Sequence, residues 1–290
     1  MDTDRFGKIV VGFDGSEEST AALLAALTLA DGLDAQVDVV TSWRWPVTWS
    51  SLPVGSSWSP LHDAEEIRQQ ATELLENTGP HRAEVMTREA EGSAADVLLS
   101  AAVGAALLVV GSRGRGGFRG LLLGSVSTAC MQHAPCPVLI HRGVEHPEAT
   151  GVPTIVVGVD GSHESGQALR FAVTTARRLG HRVRVITTWQ WPKALNRDEA
   201  PFDHWSPERD ARATASSALD AAEDLIDDDV EVTSDLVEGS PAEVLIDASR
   251  DAALLVLGNR GLGGFRGLLV GSVSQECAQH AHCPVVVHRS

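Results

Sequence analysis

LLVVGSRGRGGFRGLLLGSVS, residues 107–127, returns as LLVLGNRGLGGFRGLLVGSVS at residues 254–274 with only four differences. Each copy opens on a short apolar run, the mark of a buried strand. Each then crosses a glycine-rich loop and closes on Gly-Ser before a helix-forming stretch. The repetition extends outward. IVVGFDGSEES (9–19) returns as IVVGVDGSHES (155–165), Trp43-Arg44-Trp45-Pro46 as Trp189-Gln190-Trp191-Pro192, and CPVLIHR (136–142) as CPVVVHR (283–289). The period, Asp14 to Asp160, is far longer than a solenoid unit and marks two copies of a whole domain. Domain 1 is expected over 1–142 and domain 2 over 154–290. Residues 143–153, GVEHPEATGVP, read as a linker of Gly, Pro, Thr and charge.

Each copy alternates strand and helix signals. In the first, strands are expected at 8–13, 36–42, 82–88, 105–110 and 137–141. Ser16, followed by Glu17 and Glu18, suits the start of a helix reaching Ala30. Ser59-Pro60 and Ser206-Pro207 read as an N-cap and first-turn proline, and Ser93, Ser240-Pro241 and Ser125 open further helices. Strands separated by helix-length segments imply right-handed crossovers, hence α/β lobes with a five-stranded parallel sheet and helices on both faces.

Composition narrows the function. The chain has 290 residues, 43% of them apolar, with a net charge of -16. That balance speaks against a general nucleic-acid binder, which needs a basic face. No apolar run reaches the ~18 residues of a membrane span, and the start MDTDRFGKIV is not a signal peptide. The expectation is a soluble cytoplasmic protein without membrane partners.

The local chemistry lies at strand carboxyl ends, where open parallel sheets bind ligands. Gly111, Gly114, Gly116, Gly117, Gly120 and Gly124 are expected to take positive φ and let backbone N–H groups approach an anion. Gly124-Ser125 begins a helix, whose free N–H groups and dipole face the same anion. Arg113, Arg115 and Arg119 can add charge-assisted bonds. Gly258, Arg260, Gly261, Gly271 and Ser272 repeat the arrangement. The loop is not a Walker loop, since it holds no lysine. Nor does GxGxxG follow the first strand, which reads VGFDGS. Asp14-Gly15-Ser16 and Asp160-Gly161-Ser162 place a carboxylate where a ribose hydroxyl or adenine amine would meet it. The same residue after a strand also serves as an Asx-turn or helix cap, and the two roles can coexist.

The spacing Gly111-x2-Gly114-x9-Gly124-Ser125, matched by Gly258-x2-Gly261-x9-Gly271-Ser272, resembles the ATP-binding signature of the universal stress proteins. The strand-Asp-Gly-Ser openings and the Cys-Pro-Val closings at 136–138 and 283–285 resemble that family's ends. The resemblance covers the whole chain apart from linker and termini. It implies two tandem Rossmann-like lobes of strand order 3-2-1-4-5. It implies ATP bound with adenosine near Asp14 and phosphates on the glycine loop; Mg²⁺, which Asp14 could hold, is a candidate companion. Backbone groups around Ser42-Trp43 and Thr188-Trp189 would face the adenine. It further implies lobes joined through their fifth strands, and leaves room for a homodimer.

Other constellations carry less. Cys130-x2-His133-x2-Cys136-x4-His141 and its copy Cys277, His280, Cys283, His288 offer a zinc set on paper, but buried free thiols are the plainer reading. All seven tryptophans follow the second strand of a copy. They read as loop packing, with an aromatic lid beside the adenine as the alternative. No catalytic pattern stands out. The expected function is an ATP-binding stress-response regulator, occupied by ATP in both lobes and read by a protein partner through its occupancy. A slow ATPase, a nucleotide-dependent transferase, an interaction module with empty loops, or a binder of another adenylate such as cyclic AMP are the alternatives. The two sites are expected to differ, the first binding ATP more tightly and more salt-sensitively, because Arg115 becomes Leu262 and Ser112 becomes Asn259, leaving the second loop one cation short.

Overall fold

The structure is a computed structural model that describes residues 6–45, 59–116, 122–143, 151–191, 206–226, 229–263 and 267–289. Gly117, Arg119, Gly120, Trp49, Trp58, Trp205 and most of the expected linker lie outside these residues. The chain divides into two compact units, Met1–Gly143 and Val144–Ser290.

In lobe 1, β1 (Gly7–Gly12), β2 (Ala35–Trp43), β3 (Val85–Glu91), β4 (Leu107–Gly111) and β5 (Val138–His141) alternate with α1 (Glu17–Leu33), α2 (Pro60–Asn77), α3 (Ala94–Ala101) and α4 (Ser125–His133). The strands are parallel in the order β3-β2-β1-β4-β5. In lobe 2, β6 (Thr154–Gly158), β7 (Arg182–Trp189), β8 (Val232–Glu238), β9 (Leu254–Gly258) and β10 (Val285–His288) repeat it as β8-β7-β6-β9-β10. Their helices are α5 (His163–Leu179), α6 (Pro207–Asp220), α7 (Pro241–Ala248) and α8 (Ser272–His280). Among the described residues no helix is long and apolar enough to cross a membrane.

The β-branched runs end up in the middle. Ile9, Val10 and Val11 on β1 and all five residues of β4 are buried, as expected of strands covered on both faces. Ala22, Leu23, Ala26, Leu27, Ala30 and Leu33 form the buried stripe of α1. That helix runs past Ala30 and stops where Asp34 takes the left-handed conformation at φ 52°.

The third strand begins at Val85, later than the expected 82. Asp31 at the end of α1 accepts the N–H groups of Arg82 and Ala83, both at 2.8 Å. That segment is therefore fastened to α1 before the chain enters the sheet.

For the site, the winding is what matters. From β1 the chain moves one way to β2 and β3. It then crosses back to β4 on the other side of β1. Successive loops leave β1 and β4 in opposite directions, so a crevice opens between their carboxyl ends.

Candidate functional site

The loop after β1 is built around Asp14. Its Oδ1 accepts the Ser16 N–H at 3.0 Å and the Ser16 hydroxyl at 2.5 Å, closing an Asx-turn. The Ser16 hydroxyl oxygen in turn accepts the Ser19 N–H at 3.2 Å and caps α1. The other oxygen, Oδ2, reaches across the crevice and accepts the Arg115 N–H at 2.9 Å. Asp14 thus clips the glycine loop to the β1 loop. Burial pushes its carboxyl pKa up. Hydrogen bonds from Ser16, Arg115 and Ser19 outweigh that and hold it below its ordinary 3.8. Asp160 repeats every contact, with Leu262 N–H in the place of Arg115 N–H at 2.9 Å.

This clip accounts for part of the glycine pattern. A Cβ on Gly114 would fall on the Asp14 carboxylate, and one on Gly111 would lie 2.9 Å from the carbonyl carbon of Glu18 in α1. Gly261 and Gly258 stand in the same relation to Asp160 and Glu164. Among the described residues of the first loop no glycine has positive φ. The expectation of left-handed backbone is corrected there: at Gly111 and Gly114 close approach, not handedness, excludes other residues.

Gly124 is different. A Cβ there would meet nothing nearer than the Ser112 carbonyl oxygen at 3.4 Å, an ordinary contact. Among the described residues, packing does not demand glycine at this place. Gly124 N–H donates to Ser112 O at 2.7 Å and the Ser127 hydroxyl donates to Gly111 O at 2.7 Å, closing the loop at its base. As N-cap of α4, Gly124 supplies no side-chain bond to the first turn. The N–H groups that begin an α-helix have no intrahelical partner. They belong here to residues Ser125 to Ser127, which line a cavity of about 430 Å³.

That cavity is the crevice between β1 and β4. One end is polar, with Asp14, Arg113, Gly114, Gly124 and Ser125. The other is apolar, with Ile67, Ala94, Leu98 and Val110, floored by Gly12 and Thr41. The Thr41 hydroxyl donates to Phe13 O at 3.0 Å. Ser42 also lines it.

The structure thus gathers Asp14, Gly111, Arg113, Gly114, Gly124 and Ser125 around one cavity. Arg113 is engaged by Glu18 at 2.7 Å. Arg115 lies elsewhere. Its guanidinium Nη2 and the Gln70 side-chain oxygen Oε1 each lie 2.8 Å from where a Gly15 Cβ would stand. Gly15 itself turns with φ 74°, a region that favours glycine. Trp43 ends β2 and makes an edge-on contact with Trp45, ring centres 6.1 Å apart. Neither Gly15, Ser16 nor Trp43 lines the cavity.

Residues that sequence reasoning passed over include the whole apolar end and Arg142. Burial lowers the Arg142 pKa, and the nearby Arg113 adds to the shift, so two cations share the end of β4 and β5. The recurrence of Arg142 as Arg289 was a signal for it.

In lobe 2, Gly258, Arg260, Gly261, Gly271 and Ser272 hold the corresponding positions. Gly271 N–H donates to Asn259 O at 2.7 Å, and the Ser274 hydroxyl donates to Gly258 O at 2.6 Å. Arg260 sits farther from Glu164, at 3.5 Å. Thr187, the counterpart of Thr41, is buried with a hydroxyl that makes no hydrogen bond. Gly161 and Ser162 open instead onto a groove of about 710 Å³ between α5 and α6, where Thr214 and Ser217 stand in place of Ile67 and Gln70.

Burial pushes the four thiols up, to about 11 for Cys136 and about 12 for Cys130, Cys277 and Cys283. Thiols so protonated are poor ligands. Among the described residues no three His, Cys, Asp or Glu side chains gather as a metal set.

Comparison with known proteins agrees with this architecture. The model of the universal stress protein family matches residues 5–142 and again 151–289. A universal stress protein of Mycolicibacterium smegmatis is 30% identical over 291 residues, covering 97% of this chain and 96% of the relative. One of Mycobacterium tuberculosis is 31% identical over 301 residues with the same coverage. The crystal structure of a universal stress protein from Archaeoglobus fulgidus superposes with a TM-score of 0.66 at 20% identity, covering 98% of this chain and 97% of that one. With a parallel lobe of order 3-2-1-4-5 in each matched half, the chain belongs to the universal stress protein family, as a tandem of two family domains.

Proposed function

We propose that this protein is a stress-response regulator that binds ATP in the lobe 1 crevice and signals through occupancy. The observation that carries the reading is Gly124. It begins α4 beside a cavity, leaves the first-turn N–H groups without a side-chain cap, and has no neighbour among the described residues that requires it to be glycine. An anion seated there would meet backbone donors and the positive end of the helix. Arg113, released from Glu18, would meet the outer phosphates. Ile67, Ala94, Leu98 and Val110 would take the flat face of the base, and 430 Å³ lies in the range of small-ligand pockets.

Asp14 would serve this site chiefly by position. Both its oxygens already accept hydrogen bonds, so its part is to hold the glycine loop over the phosphates while a remaining lone pair meets a ribose hydroxyl. Mg²⁺, where present, would ride on the phosphates, since Asp14 is the sole carboxylate among the described residues that line the cavity. The absence of a second acidic group or lysine among the lining residues favours a regulator over an efficient ATPase. Occupancy would hold the loop in the conformation that a partner protein reads.

Mass spectrometry of gently purified protein tests the ligand. ATP is the expected co-purifying molecule. Cyclic AMP alone, or no nucleotide together with no heat of ATP binding, contradicts the reading. Phosphate release near ~1 s⁻¹ or faster would make the protein an enzyme instead.

A further inference from the structure

The two crevices differ at their apolar ends, where the sequence reads as interchangeable core. Val110 on β4 becomes Leu257 on β9, and Ala94 at the start of α3 becomes Pro241 at the start of α7. Both lobe 1 residues line the cavity. In lobe 1 the nearest Val110 carbon is 3.5 Å from where a Cβ on Gly12 would stand. In lobe 2 the Leu257 Cδ2 is 2.8 Å from the corresponding point on Gly158. The flanking leucine compensates only in part: Leu98 stands 2.8 Å from that point in lobe 1 and Leu245 3.0 Å in lobe 2, a smaller change than that from Val110 at 3.5 Å to Leu257 at 2.8 Å. The additional methylene of Leu257 therefore reaches into the space that borders Gly12 and Val110 in lobe 1, and Pro241 stands at the position of the cavity-lining Ala94. The space freed by Thr214 opens elsewhere. Its Cγ2 faces Gly161 at 3.0 Å, and the residue lines the outer groove between α5 and α6. At the phosphate end the aspartate clip and the backbone bond that closes the loop are kept in both lobes, so the larger change lies at the apolar end.

We propose that Leu257, backed by Pro241, closes the base end of the lobe 2 crevice, so that the chain takes one nucleoside polyphosphate, in lobe 1, and none in lobe 2. This rests on the nucleotide reading above. Close-packed interiors give no slack for an aromatic ring where a methylene already sits, so exclusion and not slight weakening is expected.

Equilibrium dialysis of the full chain against ATP tests it, with three proteins compared. The wild type is expected to bind one equivalent. A Leu257→Val/Pro241→Ala variant is expected to bind two. Val110→Leu is expected to weaken the single site at least tenfold. Thermal melts of each variant serve as the control for folding, and Val110→Leu, which closes a site, complements the pair that opens one. Two equivalents of similar affinity in the wild type overturn the inference and leave the nucleotide reading standing. One equivalent in Leu257→Val/Pro241→Ala, or unchanged affinity in Val110→Leu, also overturns it. No bound ATP in the wild type overturns the nucleotide reading and this inference together.

Discussion

The two glycine loops share a skeleton and differ in what surrounds it. Each is clipped by an aspartate, closed at its base by the same backbone bond, and followed by a helix capped without a side chain. Around that skeleton lobe 1 has Arg115, Val110 and Ala94, where lobe 2 has Leu262, Leu257 and Pro241. The charge change is the one that stands out in sequence. The geometry shifts the weight to the apolar change, because the Arg115 guanidinium lies over Gly15 while Val110 lines the cavity. A charge acts on a ligand only from where its side chain ends, whereas a strand residue's position is fixed by register.

The largest effect that would sharpen this comparison is expected from glycine to aspartate changes at the two helix starts. Gly124→Asp places a carboxylate against the phosphates. At an effective dielectric near 20, such a pair repels by about 4 kcal/mol at 4 Å, so ATP affinity should fall about a hundredfold or more. Aspartate is a good N-cap, so the melting temperature should hold. Gly271→Asp should leave ATP affinity within about twofold, because its lobe takes no base. Calorimetry on the two variants reads the difference, and equal losses would break the comparison.

Next in size are the positions where the lobes should behave alike. Gly114→Ala and Gly261→Ala each force a methyl onto an aspartate oxygen that holds the loop. Each should cost about 1–3 kcal/mol, as overpacking does. Denaturant titration checks this, and an unchanged midpoint in either variant would contradict the clip.

The clip also has an acid limit. Asp14 and Asp160 are held below 3.8 in the folded chain, so their hydrogen bonds stabilise it fully above that ordinary value. The contribution fades as pH falls through the lower folded value. An Asp14→Asn/Asp160→Asn protein should lack this acid-dependent step below about pH 4, which circular dichroism across an acid titration would detect.

The smallest effect is expected from Arg115→Leu, which copies the lobe 2 residue into lobe 1. ATP affinity should change by less than about threefold, with little change in its salt dependence. A tenfold loss that grows at low salt would restore the arginine as the residue that separates the sites.

Much of the fold was legible because the chain states it twice. Repeated strand runs, serine caps and first-turn prolines marked the elements in both halves, and the loop spacing pointed to the crevice. The start of β3 was not legible, since it depends on Asp31 reaching across from α1. The reasons for the glycines were half legible. That Gly114 answers to Asp14, while Gly124 meets only ordinary contacts among the described residues, depends on the distance between loops from different strands. The apolar end of the site stayed hidden because Val110 and Leu98 in sequence are core residues like their neighbours. Only the winding of the sheet shows that they border a cavity.

The most direct test of the account is a crystal structure of the full chain grown with ATP. The account predicts one ATP, in lobe 1, with its phosphates on the N–H groups of Ser125 to Ser127 and its base against Val110 and Leu98. An adenine in the lobe 2 crevice beside Leu257, or phosphates bound away from Gly124, would contradict it.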